Sequence, residues 1–248
     1  MSMPFPLMLA LFSLIVLVSH LLEGITGFGS TALSLPFVTL MLGIEVARPV
    51  LMLYTLLLCL YILPQSRGQV DWKSYGTMLG LIALGLPFGV LLYTRLPRQL
   101  LLGLLAAFMI VVAVRGLLQA FGTKKQVRPM PGWLLGVLIF LGGIIHGAFS
   151  SGGPLVIVYA TEKIKDKSRF RATMCMVWLT LNILLLGQMA FAGELGAAVW
   201  EMSLWGLPAL IAGALLGNIA HKKLDADLFT KVTYAALLLA GLFMAANL

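Results

Sequence analysis

His20, Glu23, Gly24, Thr26, Gly27, Gly29, Ser30 and Thr31 lie together in one short stretch, HLLEGITGFGST. A second group, His146, Ser150, Ser151, Gly152 and Gly153, follows the midpoint in HGAFSSGGP. Both groups interrupt apolar runs. Neither looks hydrolytic: no H-E-x-x-H or comparable nucleophile–base spacing appears, and His146 with Ser150 is a thin candidate pair. What these residues offer is hydrogen-bond donors. Glycine tolerates backbone shapes that other residues resist. A helix that restarts after a break presents free N–H groups and partial positive charge. Thr26, Ser30 and Thr31 add hydroxyls to one break, Ser150 and Ser151 to the other. Pro154 suits the first turn of the second restarting helix, where no N–H is needed. Converging donors with no fixed lysine suit a small oxyanion, and such diffuse charge also lets it leave. Two half-helix ends meeting near the midplane of a membrane are the expected frame.

The elements that must hold these donors follow from composition. The chain has 248 residues, 60% of them hydrophobic and 10% charged, with a mean hydropathy of +1.02. A soluble domain is about half apolar and about a quarter charged, so an aqueous core could not hide this surface. The first charge is Glu23. No basic region precedes the first apolar run, which therefore reads as a retained helix rather than a cleaved signal. The net charge of +8 comes from basic residues in short loops, as the positive-inside rule places them, so no nucleic-acid partner is implied. Cys59 and Cys175, far apart in apolar stretches, read as small core residues and make no metal pattern. No phosphate-binding G-x-x-x-x-G-K-[ST] loop is present, so neither ATP nor another cofactor is expected.

The expected fold is an all-α polytopic membrane protein, one domain over 1–248. About ten apolar segments run roughly over 5–22, 29–44, 46–64, 73–93, 99–121, 132–147, 150–160, 170–190, 196–219 and 228–247. That gives 8–10 spans, with ten preferred. Segments 29–44, 132–147 and 150–160 are short, and all flank the glycine-rich stretches, as expected for a transporter's site. Trp72, Trp133 and Trp200 mark segment starts. With ten crossings, one side collects Arg67, Lys73, Lys124, Lys125, Arg128, Lys163, Lys165, Lys167, Arg169, Arg171, Lys222, Lys223 and Lys231, and the other only Arg48, Arg95 and Arg98. The first side is then cytoplasmic and both termini face outward.

The halves resemble each other, with repeat 1 at about 1–122 and repeat 2 at about 131–248. GLP recurs at Gly85 and Gly206, GVLLYTRL from Gly89 has the outline of GNIAHKKL from Gly217, His20 and His146 precede the two breaks, and Ala47–Val50 matches Arg171–Met174. About five segments per half invert the second repeat. Several polar residues then carry two readings. His20 and His146 bond a neighbouring helix, or serve gating or proton handling. Glu23 is expensive at membrane depth unless protonated, paired or wet; it serves coupling, or lies near the outer interface. Arg48 and Arg171 read first as snorkelling anchors, with anion steering or gating as the alternative. Asn182 and Gln188 line a path or join helices.

The break EGITGFGSTALSLP, its partner HGAFSSGGPLVIVYATEK and the duplication around them resemble the TauE/SafE family, also called the toluenesulfonate uptake permease family. The resemblance covers nearly the whole chain. It implies a secondary carrier, without ATP, for small sulfur-metabolism anions such as sulfite, sulfoacetate or another organosulfonate across the bacterial cytoplasmic membrane. Glu23 beside an anion path departs from that expectation and leaves the coupling ion open. The alternatives are a carrier for sulfide or a carboxylate, an intramembrane enzyme, or a membrane scaffold. The expected partners are a small anion and the lipid bilayer. Oligomeric state, a homodimer included, stays open.

Overall fold

The computed structural model describes residues 4–122 and 130–221, and beyond them 231, 234, 235, 238, 239, 241, 242, 245 and 246. Lys124, Lys125, Arg128, Lys222, Lys223 and most of the segment at 228–247 lie outside the described residues. The chain is all-α. Its helices are α1 (Phe5–Thr26), α2 (Ser30–Leu42), α3 (Ile44–Ile62), α4 (Trp72–Arg95), α5 (Arg98–Phe121), α6 (Gly132–Phe149), α7 (Gly153–Lys163), α8 (Lys167–Phe191) and α9 (Ala197–His221), with a 3₁₀ turn at Leu63–Ser66. These boundaries follow the apolar segments closely, because apolar runs bounded by Gly, Pro and charge leave little choice of where a membrane helix stops.

The preferred count of ten crossings changes. Among the described residues six helices are long and apolar enough to cross a membrane: Phe5–Thr26, Ile44–Ser66, Trp72–Arg95, Gly132–Phe149, Lys167–Phe191 and Ala197–His221. α2 and α7 have 13 and 11 residues. At 1.5 Å per residue neither reaches across about 30 Å of hydrocarbon. The apolar part of α5 is Leu102–Leu118. The ten-crossing count behind the orientation is reduced accordingly.

Two compact units form, and they are not the two sequence halves. One comprises 1–75 and 166–223, the other 76–165 and 224–248, so each draws on both halves. In the first unit α1 lies along α9, α2 packs on α1 and α3, and α3 packs on α8 and α9. Glycines permit the α1–α9 approach: a Cβ on Gly213 would meet the Leu17 carbonyl oxygen at 2.7 Å, and one on Gly24 the Gly217 Cα at 3.0 Å. In the second unit α4 meets α6 in the same way, since a Cβ on Gly147 would lie 3.0 Å from the Gly89 Cα. Gly213–Gly217, Gly85–Gly89 and Gly143–Gly147 are thus small-xxx-small pairs that let backbones touch. Leu7, Leu11, Leu14 and Val18 of α1, Leu84, Phe88 and Leu91 of α4, and Leu204, Ile211 and Leu215 of α9 are exposed. Such a surface belongs in lipid. Trp72, Trp133 and Trp200 are exposed at 62%, 71% and 51%, in the first turns of α4, α6 and α9, as interfacial tryptophans should be.

The helix starts expose one regular spacing. α2 and α7 begin at 30 and 153, and α3 and α8 at 44 and 167, both pairs 123 positions apart. Arg48 and Arg171 keep the same interval, each in the second turn of its helix. In that register the counterpart of His146 is Glu23, not His20.

Candidate functional site: two broken helices

In the first unit α1 continues through His20, Glu23 and Gly24 and ends at Gly27, whose φ of 82° is left-handed. α2 restarts behind Gly29, at φ 100°. The break is therefore Gly27–Gly29. Gly24, expected to open it, is helical and serves the contact with α9 instead. Gly27 is required twice over. Its φ favours glycine, and a Cβ there would lie 2.9 Å from the Arg171 carbonyl oxygen and 3.0 Å from the Arg171 Cγ. The freed Gly27 carbonyl accepts from the Trp178 indole N–H at 3.1 Å.

Glu23 sits one turn before this break and is 1% exposed. The Ser30 hydroxyl donates to its carboxylate. Thr55 Oγ1, from α3, donates at 3.4 Å. Thr55 also lies 3.2 Å from Ser30 Oγ and 3.4 Å from Thr31 Oγ1, and the Ser30 backbone N–H addresses the same carboxylate. The first N–H of α2, expected to hold a visiting anion, is thus occupied by the protein's own acid. Thr26 is spent on closing α1: its hydroxyl donates to the Leu22 carbonyl at 2.9 Å.

Below the break Arg171 is 5% exposed and Arg48 3%, so neither snorkels to an interface. Nη1 and Nη2 of Arg171 both donate to Asn218 Oδ1 at 3.1 Å. Asn218 in turn donates to Gln65 Oε1 at 2.9 Å and to the Tyr61 hydroxyl at 3.4 Å. His20 lies inside α1, away from the break. Its Nδ1 bonds the Val16 carbonyl at 2.8 Å, its ring meets Tyr54 edge-on at 5.6 Å, and its buried Nε2 has no partner among the described residues. Asn182 is also buried, and its Oδ1 has no described partner. Cys59 and Cys175, far apart in sequence, are buried and neighbour one another between α3 and α8.

In the second unit α6 runs through His146 and Gly147 and ends at Ser150, which holds the left-handed conformation at φ 54°. Its N–H returns to the His146 carbonyl at 2.7 Å. α7 restarts at Gly153 with Pro154 in its first turn. His146, Ser150 and Ser151 are all buried, and Ser151 Oγ has no partner among the described residues. Gly152 faces Gly142, with the Gly142 carbonyl carbon 3.0 Å from where a Cβ would stand. Gly147, like Gly24, packs a neighbouring helix and does not open the break.

Each unit thus holds one helix broken within an apolar run, with buried polar side chains at the break, and irregular backbone of this kind at membrane depth is tolerated where protein or a cavity receives it. The model of one family, Sulfite exporter TauE/SafE, matches residues 11–244. The chain belongs to the TauE/SafE family. Its resemblance to the probable inner membrane transporter protein TsaS of Comamonas testosteroni is 25% identity over 181 residues, covering 73% of this chain and 74% of the relative. No solved structure matches it. As a TauE/SafE protein with six helices able to span among the described residues, it is a membrane transporter, multi-pass in the inner membrane.

Sequence reasoning misses several residues around the first break. Thr55 and Trp178 were unmarked because a lone hydroxyl or indole inside a span looks like packing. Asn218 carried a usable signal, being an amide one residue from Gly217 in a motif already singled out. Tyr61, at the end of α3, and Gln65, in the 3₁₀ turn that follows, read as boundary residues.

Proposed function

We propose that this protein is a secondary permease for a small sulfur-containing anion, such as sulfite, sulfoacetate or another organosulfonate. It works by alternating access, with the carboxyl of Glu23 carrying a coupling proton. The observation behind this reading is the Glu23 cluster. A buried carboxylate meets Ser30 and Thr55 and no basic side chain among the described residues. A buried charge without a cation partner is costly in a membrane. Protonation removes that cost and also frees the donors at the start of α2. An anion and the ionised Glu23 therefore compete for the same N-terminus, which links anion binding to protonation. The family description, a sulfite exporter, supports the cargo class, and the relative's name supports transport. On this reading the protein is a carrier and not an enzyme.

Flux into vesicles containing the purified protein tests it. Sulfite and sulfonates should accumulate with a pH gradient, and Glu23→Gln, which keeps the acceptor for Ser30 and Thr55, should exchange anions without responding to the gradient. The absence of flux for every sulfur oxyanion overturns the permease. A gradient response that survives in Glu23→Gln overturns the role of Glu23.

A further inference from the structure

Arg171 stands in an unusual electrostatic position. It is a cation buried in the second turn of α8, 5% exposed. Such a group is normally paired or hydrated. Here both of its Nη atoms converge on one neutral oxygen, Asn218 Oδ1, at 3.1 Å each. Its Nε is buried with no acceptor among the described residues. Glu23, the buried acid of the same unit, is engaged by Ser30 and Thr55 instead. Lys167 is used elsewhere, on the His221 carbonyl at 2.5 Å. The guanidinium thus has positive charge and a free N–H, and only an amide dipole to answer them.

Two guanidinium N–H groups on one oxygen reproduce half of the fork by which arginine holds an oxyanion. The amide oxygen stands where an oxyanion oxygen would. Its holder is itself tethered: Asn218 Nδ2 donates to Gln65 Oε1 and to the Tyr61 hydroxyl. The site also touches the first break, because the Arg171 backbone and Cγ press on Gly27. We propose that Arg171 is an anion-binding residue of this unit, and that Asn218 is its placeholder, displaced when a small oxyanion with two or more oxygens binds. The proposal rests on the permease reading for the cargo's class. It adds a charged subsite next to the neutral donors of the break, with Arg171 supplying affinity and Asn218 setting how easily the anion enters.

The test separates the two ideas by measuring binding apart from flux. Thermal stabilisation of the purified protein by sulfite, a short alkylsulfonate and sulfate is followed for the native chain, Arg171→Gln, Arg171→Lys, Asn218→Ala and Asn218→Asp. Asn218→Asp places a tethered carboxylate on the fork. It should leave the protein folded and weaken oxyanion binding by about tenfold or more. Asn218→Ala, which removes the placeholder, should bind at least as tightly as the native chain. Arg171→Gln should lose binding, and Arg171→Lys should recover part of it through charge alone. Native affinity in a folded Asn218→Asp protein overturns the proposal, as does unchanged affinity in Arg171→Gln. If Arg171→Gln fails to fold, Asn218→Asp and Asn218→Ala decide. Oxyanion binding with this pattern but no vesicle flux sinks the permease and keeps the site. Flux whose half-saturating concentration ignores Asn218→Asp keeps the permease and sinks the site.

Discussion

The two breaks share a backbone device and differ in chemistry. Gly24 lies three residues before the left-handed Gly27, and Gly147 three before the left-handed Ser150. Each of these glycines meets a glycine on the helix packed against it, Gly217 for one and Gly89 for the other. Yet the residue before the contact glycine is Glu23 in one and His146 in the other, and the first residue of the restarted helix is Ser30 in one and Gly153 in the other. The first break fills its own donors with a carboxylate. The second keeps a buried hydroxyl, Ser151 Oγ, without a described partner. Backbone contact tolerates no side chain, so the frame is held fixed. The side chains around it are free to divide the work, and the paired positions carry an acid in one half and a base in the other.

The largest effect should come from breaking the frame itself. Gly89→Val and Gly217→Val put branched side chains into backbone-to-backbone contacts in the two units. Unlike a core side chain, a neighbouring backbone cannot rotate away, so the cost exceeds the usual overpacking range of about 1–3 kcal/mol. Both variants should fail to yield monodisperse protein, while Gly80→Val, where a Cβ meets nothing within 4 Å, should purify normally. If only one of the two collapses, the crossings are not equivalent devices.

A smaller and signed effect separates glycine from serine at the turn. Gly27→Ala meets both a left-handed φ and the Arg171 backbone, and should destabilise by about 1–3 kcal/mol. Ser150→Gly relieves a non-glycine residue at φ 54° and should stabilise by up to about 1 kcal/mol. Unfolding midpoints in detergent give both signs. A stabilising Ser150→Gly that also slows transport would mean that strain at this turn serves function. A destabilising one would mean that the serine hydroxyl is worth more than the strain.

The helices and both breaks were legible from sequence, because apolar run length and glycine placement are local signals. The crossings count was not. Periodicity cannot tell a 13-residue half-helix from a tilted span, and α2 and α7 were counted as crossings. The helix starts, 123 positions apart, give the two halves a register that the sequence matches do not share. Histidine is conspicuous, so His20 was matched to His146, although backbone spacing pairs His146 with Glu23. Gly24 and Gly147 looked like helix breakers because their role depends on a partner helix far away in sequence. The bonds from Thr55 to Glu23 and from Asn218 to Arg171 join residues 32 and 47 positions apart, and no local pattern announces them.

The smallest test concerns the entry to the third helix of each half. α8 begins behind Asp166, which has φ −76° and ψ 125° and accepts the Arg169 N–H at 2.8 Å. Its counterpart before α3 is Gly43, at φ 80°. An N-cap acts from the β region, where its side chain turns back on the helix's free N–H groups. Asp166 has that geometry, and Asp166→Ala should lower stability by about 1 kcal/mol. Gly43 does not have it. Gly43→Asp should therefore gain nothing from the carboxylate and lose stability to its left-handed backbone. Thermal midpoints of the two variants, measured side by side, decide the point. A Gly43→Asp protein as stable as the native chain would show that α3 can accept the cap, and that the halves differ here by sequence alone and not by backbone.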